Sequence, residues 1–203
     1  MNLRPAWNRD TADCCLHALA ESDFITIGHT QFARVKMIEG KRAFFFQYSN
    51  DTKDWLDNLN FSLQATKAPD QREAKIHSGF LAQFMQVRVA VVEADLYIGH
   101  SLGAALATIA GWYWRKPVIA MASPRVGDKT FAEQADSYIL RVSNKGDPVT
   151  HLPAWWQGYR HAGQEVKMTP RKRNLFGWLF GDWEVHLPGN YARSINAAWE
   201  GCP

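Results

Sequence analysis

LYIGHSLGAALATIAG, residues 96–111, decides the fold. A short apolar run stops at Gly99-His100-Ser101-Leu102-Gly103, and small residues of helical character follow. The order reads as a buried strand, a sharp turn and a tightly packed helix. Glycines on both sides of Ser101 remove side chains that would collide across so tight a turn. Ala104 and Ala105 let the helix lie close to the sheet.

In a doubly wound sheet, ligands bind beyond the carboxyl ends of the strands, which is where Ser101 is expected. The turn lifts its hydroxyl clear of the backbone, and the helix N-terminus faces any negative charge that develops beside it. This is the arrangement of a nucleophile elbow, the device of acyl-transfer enzymes.

Outward from the elbow, PVIAMAS (117–123) and YILRVS (138–143) read as two more buried strands, with a helix near 128–136 between them. On the N-terminal side, FARVKMI (32–38) and RAFFFQYS (42–49) alternate around Glu39-Gly40-Lys41 and predict a β-hairpin. Residues 9–21 and 80–93 have helical spacing, 52–60 predict a short helix, and a polar excursion passes through Pro69 to His77. YRHAGQEVKM (159–168) reads as a second hairpin, and a last helix is expected over 189–199. Strands alternating with helices give an α/β class: a mostly parallel central sheet, helices on both faces and an antiparallel edge hairpin.

The chain has 203 residues, 46% hydrophobic and 21% charged, without repeats or a linker, so one domain over 1–203 is expected. A net charge of +3 does not point to nucleic acid. Apolar runs fall short of the ~20 residues of a membrane-spanning helix. Three unevenly placed cysteines, Cys14, Cys15 and Cys202, do not form a disulfide framework. No apolar leader is seen in MNLRPAWNRDTADCC, so the expected location is cytoplasmic, with lysis or a dedicated secretion machine as the routes of release. Neither zinc-ligand spacing nor a glycine-rich phosphate loop is present, and no metal or cofactor is expected. Nothing in the sequence sets an oligomeric state.

A nucleophilic serine needs a base, and the base an orienting carboxylate. Asp147 follows the strand YILRVS in the turn NKGDPVTHLP, between Gly146 and Pro148; the plainer reading is a turn aspartate that caps its own backbone. Of the later histidines, His151 is too close to Asp147, and His161 falls within the second hairpin. His186 sits in a loop before the last helix, from which its ring can fold over the serine.

Five further segments join the elbow in a family resemblance. KIHSGFLAQF (75–84), SPRVGD (123–128), RVSNKGDPVTHLP (141–153), YRHAGQEV (159–166) and the H-x-x-x-x-Y pattern at 186–191 occur in the order of the corresponding motifs of another group. Together they resemble the class 3 (fungal-type) lipases of the α/β-hydrolase superfamily, from about residue 44 to 195.

The resemblance implies an ester hydrolase with the triad Ser101, Asp147 and His186, acting on acylglycerols or related lipid esters. Short-chain esterase, phospholipase and acyl transfer to another alcohol use the same chemistry, and a lipid-binding protein that keeps only the fold is the rival of another class. The oxyanion hole is implied at the backbone N–H groups of Leu102 and Ser49. In FQYSNDTKDW (46–55) the family's Arg-Gly is replaced by Gln47-Tyr48, which makes the Tyr48 hydroxyl a further candidate. The family's lid falls on residues 50–60, with Trp55 and Leu56 on it. Residues 170–185, an aromatic and basic stretch before His186, suit a lipid surface through Phe176, Trp178 and Phe180, and equally suit packing over the last helix.

Overall fold

Phe44, Phe45 and Phe46 stand in a row on one strand, and the layers of the molecule follow from where each ring goes. The computed structural model describes residues 8–20, 24–27, 30–33, 36–38, 40–48, 62–91, 93–170 and 183–200. Helix α1 (Arg9–Ala20) precedes β1 (Phe24–Ile27), β2 (Thr30–Ala33), β3 (Lys36–Ile38) and β4 (Lys41–Tyr48). A hairpin of β5 (Leu63–Lys67) and β6 (Glu73–His77) leads into α2 (Ser78–Val87), β7 (Leu96–His100), α3 (Leu102–Trp114), β8 (Val118–Met121) and α4 (Lys129–Ala135). The chain continues through β9 (Ile139–Asn144), β10 (Gln164–Met168), the one-turn helix α5 (Trp183–His186) and α6 (Pro188–Glu200).

The main sheet runs β1-β2-β4-β7-β8-β9-β10, with β3 also paired to β4. From β4 to β10 every pairing is parallel, whereas β1, β2 and β3 form an antiparallel edge. Phe44 and Phe46 enter one core, beside Tyr97, Val118 and Ala120 and under α2, α3 and α4. Phe45 enters the other with Ile98, Ile119 and Met121, under α1 and α6. A strand buried on both faces needs apolar residues at every position, and AFFF and LYI supply them. Helix α3 is buried along nearly its whole length, which explains why LGAALATIAGW has no polar stripe.

The class and the antiparallel edge agree with the sequence, but four local expectations change. The excursion to His77 is a hairpin of its own: LQATK and EAKIH pair antiparallel around a turn in which Asp70 binds Arg72 and Gln71 takes a φ of 69°. Helix α2 stops at Val87, because the β-branched run that follows is poor helix material and Arg88 donates to the Phe84 carbonyl as its cap. Residues 159–168 form no hairpin. Only Gln164–Met168 is a strand, parallel to β9, and His161 lies in the connection before it. The first arm of the N-terminal hairpin is also divided, β2 and β3 flanking opposite ends of β4. The helix expected at 52–60, the lid residues and the core of the aromatic stretch lie outside the described residues.

The elbow is held by contact between backbones. A Cβ on Gly99 would overlap the Gly103 carbonyl, and one on Gly103 would overlap the Phe46 carbonyl at the end of β4. Ser101 between them adopts φ 58° and ψ −124°, which a non-glycine residue holds only when its surroundings impose it. Neither glycine can yield, since each opposes main chain rather than a movable side chain. Gly103→Ala is expected to lower stability by about 3 kcal/mol or more, read as the urea unfolding midpoint; a loss below about 1 kcal/mol would show that α3 can move off β4.

Candidate active site

Strand β7 delivers Ser101 at its carboxyl end, and β9, two strands away, delivers Asp147 at its own. His186 arrives from the other end of the chain, in the last turn of α5 rather than in the loop expected from sequence. The three meet in a buried line. His186 Nε2 lies 2.8 Å from Ser101 Oγ, and His186 Nδ1 lies 3.0 Å from each Asp147 oxygen. A carboxylate oxygen only accepts, so Nδ1 carries the proton and Nε2 accepts from the serine hydroxyl. His151 is exposed, and His161 is occupied with the Thr150 carbonyl.

Asp147 has no solvent exposure, and its carboxylate depends on the donors around it. Besides His186, Oδ1 accepts from the Val149 N–H at 2.9 Å and Oδ2 from the Tyr191 hydroxyl at 2.7 Å. Tyr191 is fixed in turn, because its oxygen accepts the Asn144 N–H at 2.9 Å and its proton must therefore point at the carboxylate. Burial, then the Asp147 charge, raises the Tyr191 pKa well above the ordinary phenol value. The turn is braced from behind: Thr150 Oγ1 donates to the Asp147 carbonyl at 2.8 Å, and His161 Nε2 donates to the Thr150 carbonyl at 2.8 Å.

His100, next to Ser101 in the chain, holds His186 from another side. Its Nε2 lies 2.9 Å from the His186 carbonyl, an acceptor, so this nitrogen carries hydrogen. Burial, with His186 close by, pushes its pKa down to about 3, and the ring stays neutral. Asn144 Nδ2 donates to the Val185 carbonyl at 3.0 Å, tying α5 to the end of β9. Trp183 stands edge-on to the His186 ring, 6.0 Å between centroids.

Tyr191, His100 and Asn144 had no role in the sequence reading. Tyr191 falls within the H-x-x-x-x-Y pattern, where a hydroxyl-bearing aromatic early in the last helix was the available signal. Leu102 opens α3, and its N–H has no acceptor within its own helix. Tyr48 closes β4. Ser49, Trp55, Leu56, Phe176, Trp178 and Phe180 lie outside the described residues.

Residues 43–156 match the family model described as Lipase (class 3). The chain belongs to the class 3 lipase family. Among curated relatives it is 33% identical over 137 residues to the secreted mono- and diacylglycerol lipase 1 of Fusarium solani, covering 58% of this chain and 40% of that protein. It is 27% identical over 188 residues to a lipase of Rhizomucor miehei, covering 76% of this chain and 51% of that one. The chain thus spans about half or less of the length of these curated relatives. The crystal structure of a mono- and diacylglycerol lipase from Aspergillus oryzae superposes with a TM-score of 0.69, over 95% of this chain and 99% of that one, at 18% identity. That likeness concerns the fold.

The comparisons correct the expected location. The Fusarium relative is named as secreted, which points outside the cell rather than to the cytoplasm. The cytoplasmic reading rested on finding no leader in the first residues, and that carries no weight beside a secreted relative. Among the described residues no helix is long and apolar enough to cross a membrane.

Two outcomes follow from the buried polar groups. Tyr191→Phe removes a hydroxyl bonded to a buried carboxylate and strands the Asn144 N–H, so it is expected to cost about 2 kcal/mol in urea unfolding. The second concerns acid. His77, His100 and His161 titrate in the fold at about 4, 3 and 3, each depressed from 6.5 chiefly by burial. Between those values and 6.5 the unfolded chain binds more protons, so stability is full above about pH 6.5 and declines as pH falls toward 4. Asp70 and Asp95, held near 2 mainly by hydrogen bonds from Arg72 and Arg42, add their loss only below about their ordinary 3.8. Urea midpoints between pH 7 and 4 check this; a flat profile would mean that the imidazoles titrate freely.

Proposed function

We propose that this protein is a serine carboxylic ester hydrolase acting on mono- and diacylglycerols or related lipid esters. The observation that carries the reading is the unbroken line from Ser101 Oγ through the His186 ring to a fully buried Asp147 carboxylate. As the serine attacks an ester carbonyl, His186 Nε2 takes its proton, and Asp147 steadies the imidazolium. The alcohol leaves with that proton, and water, activated by the same nitrogen, releases the acid from the acyl-enzyme.

Negative charge gathers on the carbonyl oxygen in both steps. The Leu102 N–H at the start of α3 is its first proposed donor, and the Ser49 N–H, one residue beyond β4, the second. Support for bringing these segments together comes from Gly103, packed directly on Phe46 and Gln47. Removing one such donor costs about 10²–10³ in rate. The acylglycerol class is supported by the names of the relatives, and the secreted relative supports action outside the cell. The segment over 50–60 is proposed as a lid, and that over 170–185 as a lipid-facing insertion, on the family's pattern.

Hydrolysis of chromogenic esters from acetate to palmitate, comparing the unmodified chain with Ser101→Ala, tests this reading. A triad at work predicts a loss of about 10⁶ in kcat in the variant. Equal rates in the two proteins would remove Ser101 from the chemistry; no turnover of any ester, dispersed or micellar, would leave a lipid-binding fold.

A further inference from the structure

Helix α5 is a single turn, too short to hold itself in water, so its position must be set by its neighbours. The last carbonyls of any helix lack donors within the helix. Pro188, two residues past the end of α5, has no N–H to offer them. Side chains supply the donors instead. His100 Nε2 donates to the His186 carbonyl at 2.9 Å, and Asn144 Nδ2 to the Val185 carbonyl at 3.0 Å. Asn190 Nδ2 donates to the Glu184 carbonyl of the same turn.

The first two bonds differ from the third in what they fix. Peptide units are planar, so the main chain of a residue turns only at φ and ψ, between the plane before its Cα and the plane after it. The Val185 carbonyl belongs to the plane before the His186 Cα, and the His186 carbonyl to the plane after. Holding both settles the direction in which Cβ leaves the chain, and only χ1 and χ2 remain to the ring. The bonds from Nδ1 to Asp147 and from Nε2 to Ser101 then suffice to set these.

Both donors are themselves held firmly. His100 and Asn144 are 7% and 1% exposed. The His100 ring also touches the His186 ring, 5.1 Å between centroids, and the Tyr191 ring, 5.4 Å away and nearly perpendicular. Each donor closes a strand: His100 ends β7 directly before Ser101, and Asn144 ends β9 three residues before Asp147. The strand that carries the serine and the strand that carries the carboxylate therefore each grip the main chain at the histidine.

We propose that His100 and Asn144 are positioning residues for ester cleavage, which keep the His186 ring on Ser101 by fixing the two peptide planes around its Cα. The proposal rests on the ester hydrolase reading. His100→Leu, which removes the donor, is expected to lower kcat on p-nitrophenyl butyrate about 10²-fold. KM is expected to change little, because His100 acts through His186 and not on the ester. Asn144→Ala is expected to act in the same direction. His100→Gln should restore most of the rate, since its amide nitrogen reaches as far as Nε2, whereas the His100→Asn amide stops where Nδ1 stands.

A second readout needs no turnover. The His186 Nδ1 proton, bonded to Asp147, resonates far downfield in the proton NMR spectrum, and in His100→Leu this signal is expected to broaden or move upfield. Lower stability alone would leave it in place in the folded molecules. Unchanged kcat in His100→Leu or Asn144→Ala, a loss carried by KM, or an undisturbed Nδ1 signal in a slowed variant overturns the proposal. Should His100→Leu unfold, His100→Gln and His100→Asn decide the matter, and equal kcat in these two overturns it. If the parent cleaves no ester, the hydrolase reading falls, while the Nδ1 signal still tests the positioning.

Discussion

A carboxylate shut away from water is tolerated only when donors surround it, and the architecture around Asp147 meets that condition. One donor is local, the Val149 N–H of its own turn, and two come from distant parts of the chain, the His186 imidazole from α5 and the Tyr191 hydroxyl from α6. Removing one leaves a buried charge short of a partner, at a cost comparable to a sizeable part of a domain's net stability. The C-terminal helices are therefore bound to the sheet by a polar requirement as well as by the apolar contacts of Tyr191 and Ile195. The same donors orient the imidazole, so holding the fold closed and aiming the His186 ring at Ser101 are one arrangement.

The parallel sheet does the rest of the positioning. Strands β7, β8 and β9 point the same way, so the chain leaves each at one end of the molecule, and Ser101 and Asp147 emerge there without any special loop. The elbow needs more than topology. Its positive φ is sustained because Gly99 and Gly103 let β7, α3 and β4 approach at backbone contact, and Ser101 N–H is held by the Met121 carbonyl at 3.0 Å. Strain at Ser101 is thus carried by close packing on a rigid sheet.

Which parts of this were legible in the sequence follows from the range of the forces involved. Ser101, its glycines and the small-residue helix are local: each residue's role depends on neighbours within a few positions. Asp147 was legible as an acid in a turn at the right end of a strand, and His186 by its place in the chain order. Tyr191 and His100 were not, because their roles depend on partners 44 and 86 residues away. The β5–β6 hairpin was missed because β5 has no buried residue and lacks the apolar alternation of a half-buried strand, while the alternation of β6 runs over only five residues. Residues 159–168 misled in the opposite way: a turn-like glycine between polar and apolar residues suggested a hairpin, yet the strand found its partner in β9, across a long connection.

The buried histidines show how differently one chain surrounds the same residue type. His100 and His161 give their Nε2 protons to backbone carbonyls, a neutral acceptor that offsets little of the cost of a buried charge, and both are held neutral far below 6.5. His77 uses its Nδ1 lone pair to accept the Gly79 and Phe80 N–H groups at the head of α2, so a proton there would break the cap. His186 alone among these four is given a carboxylate on one nitrogen and a hydroxyl on the other. Among these four, His186 is the ring with an anionic partner on the nitrogen opposite its Ser101 contact. Burial makes the other three inert, and it is the partner on the far nitrogen that makes the same burial useful at His186.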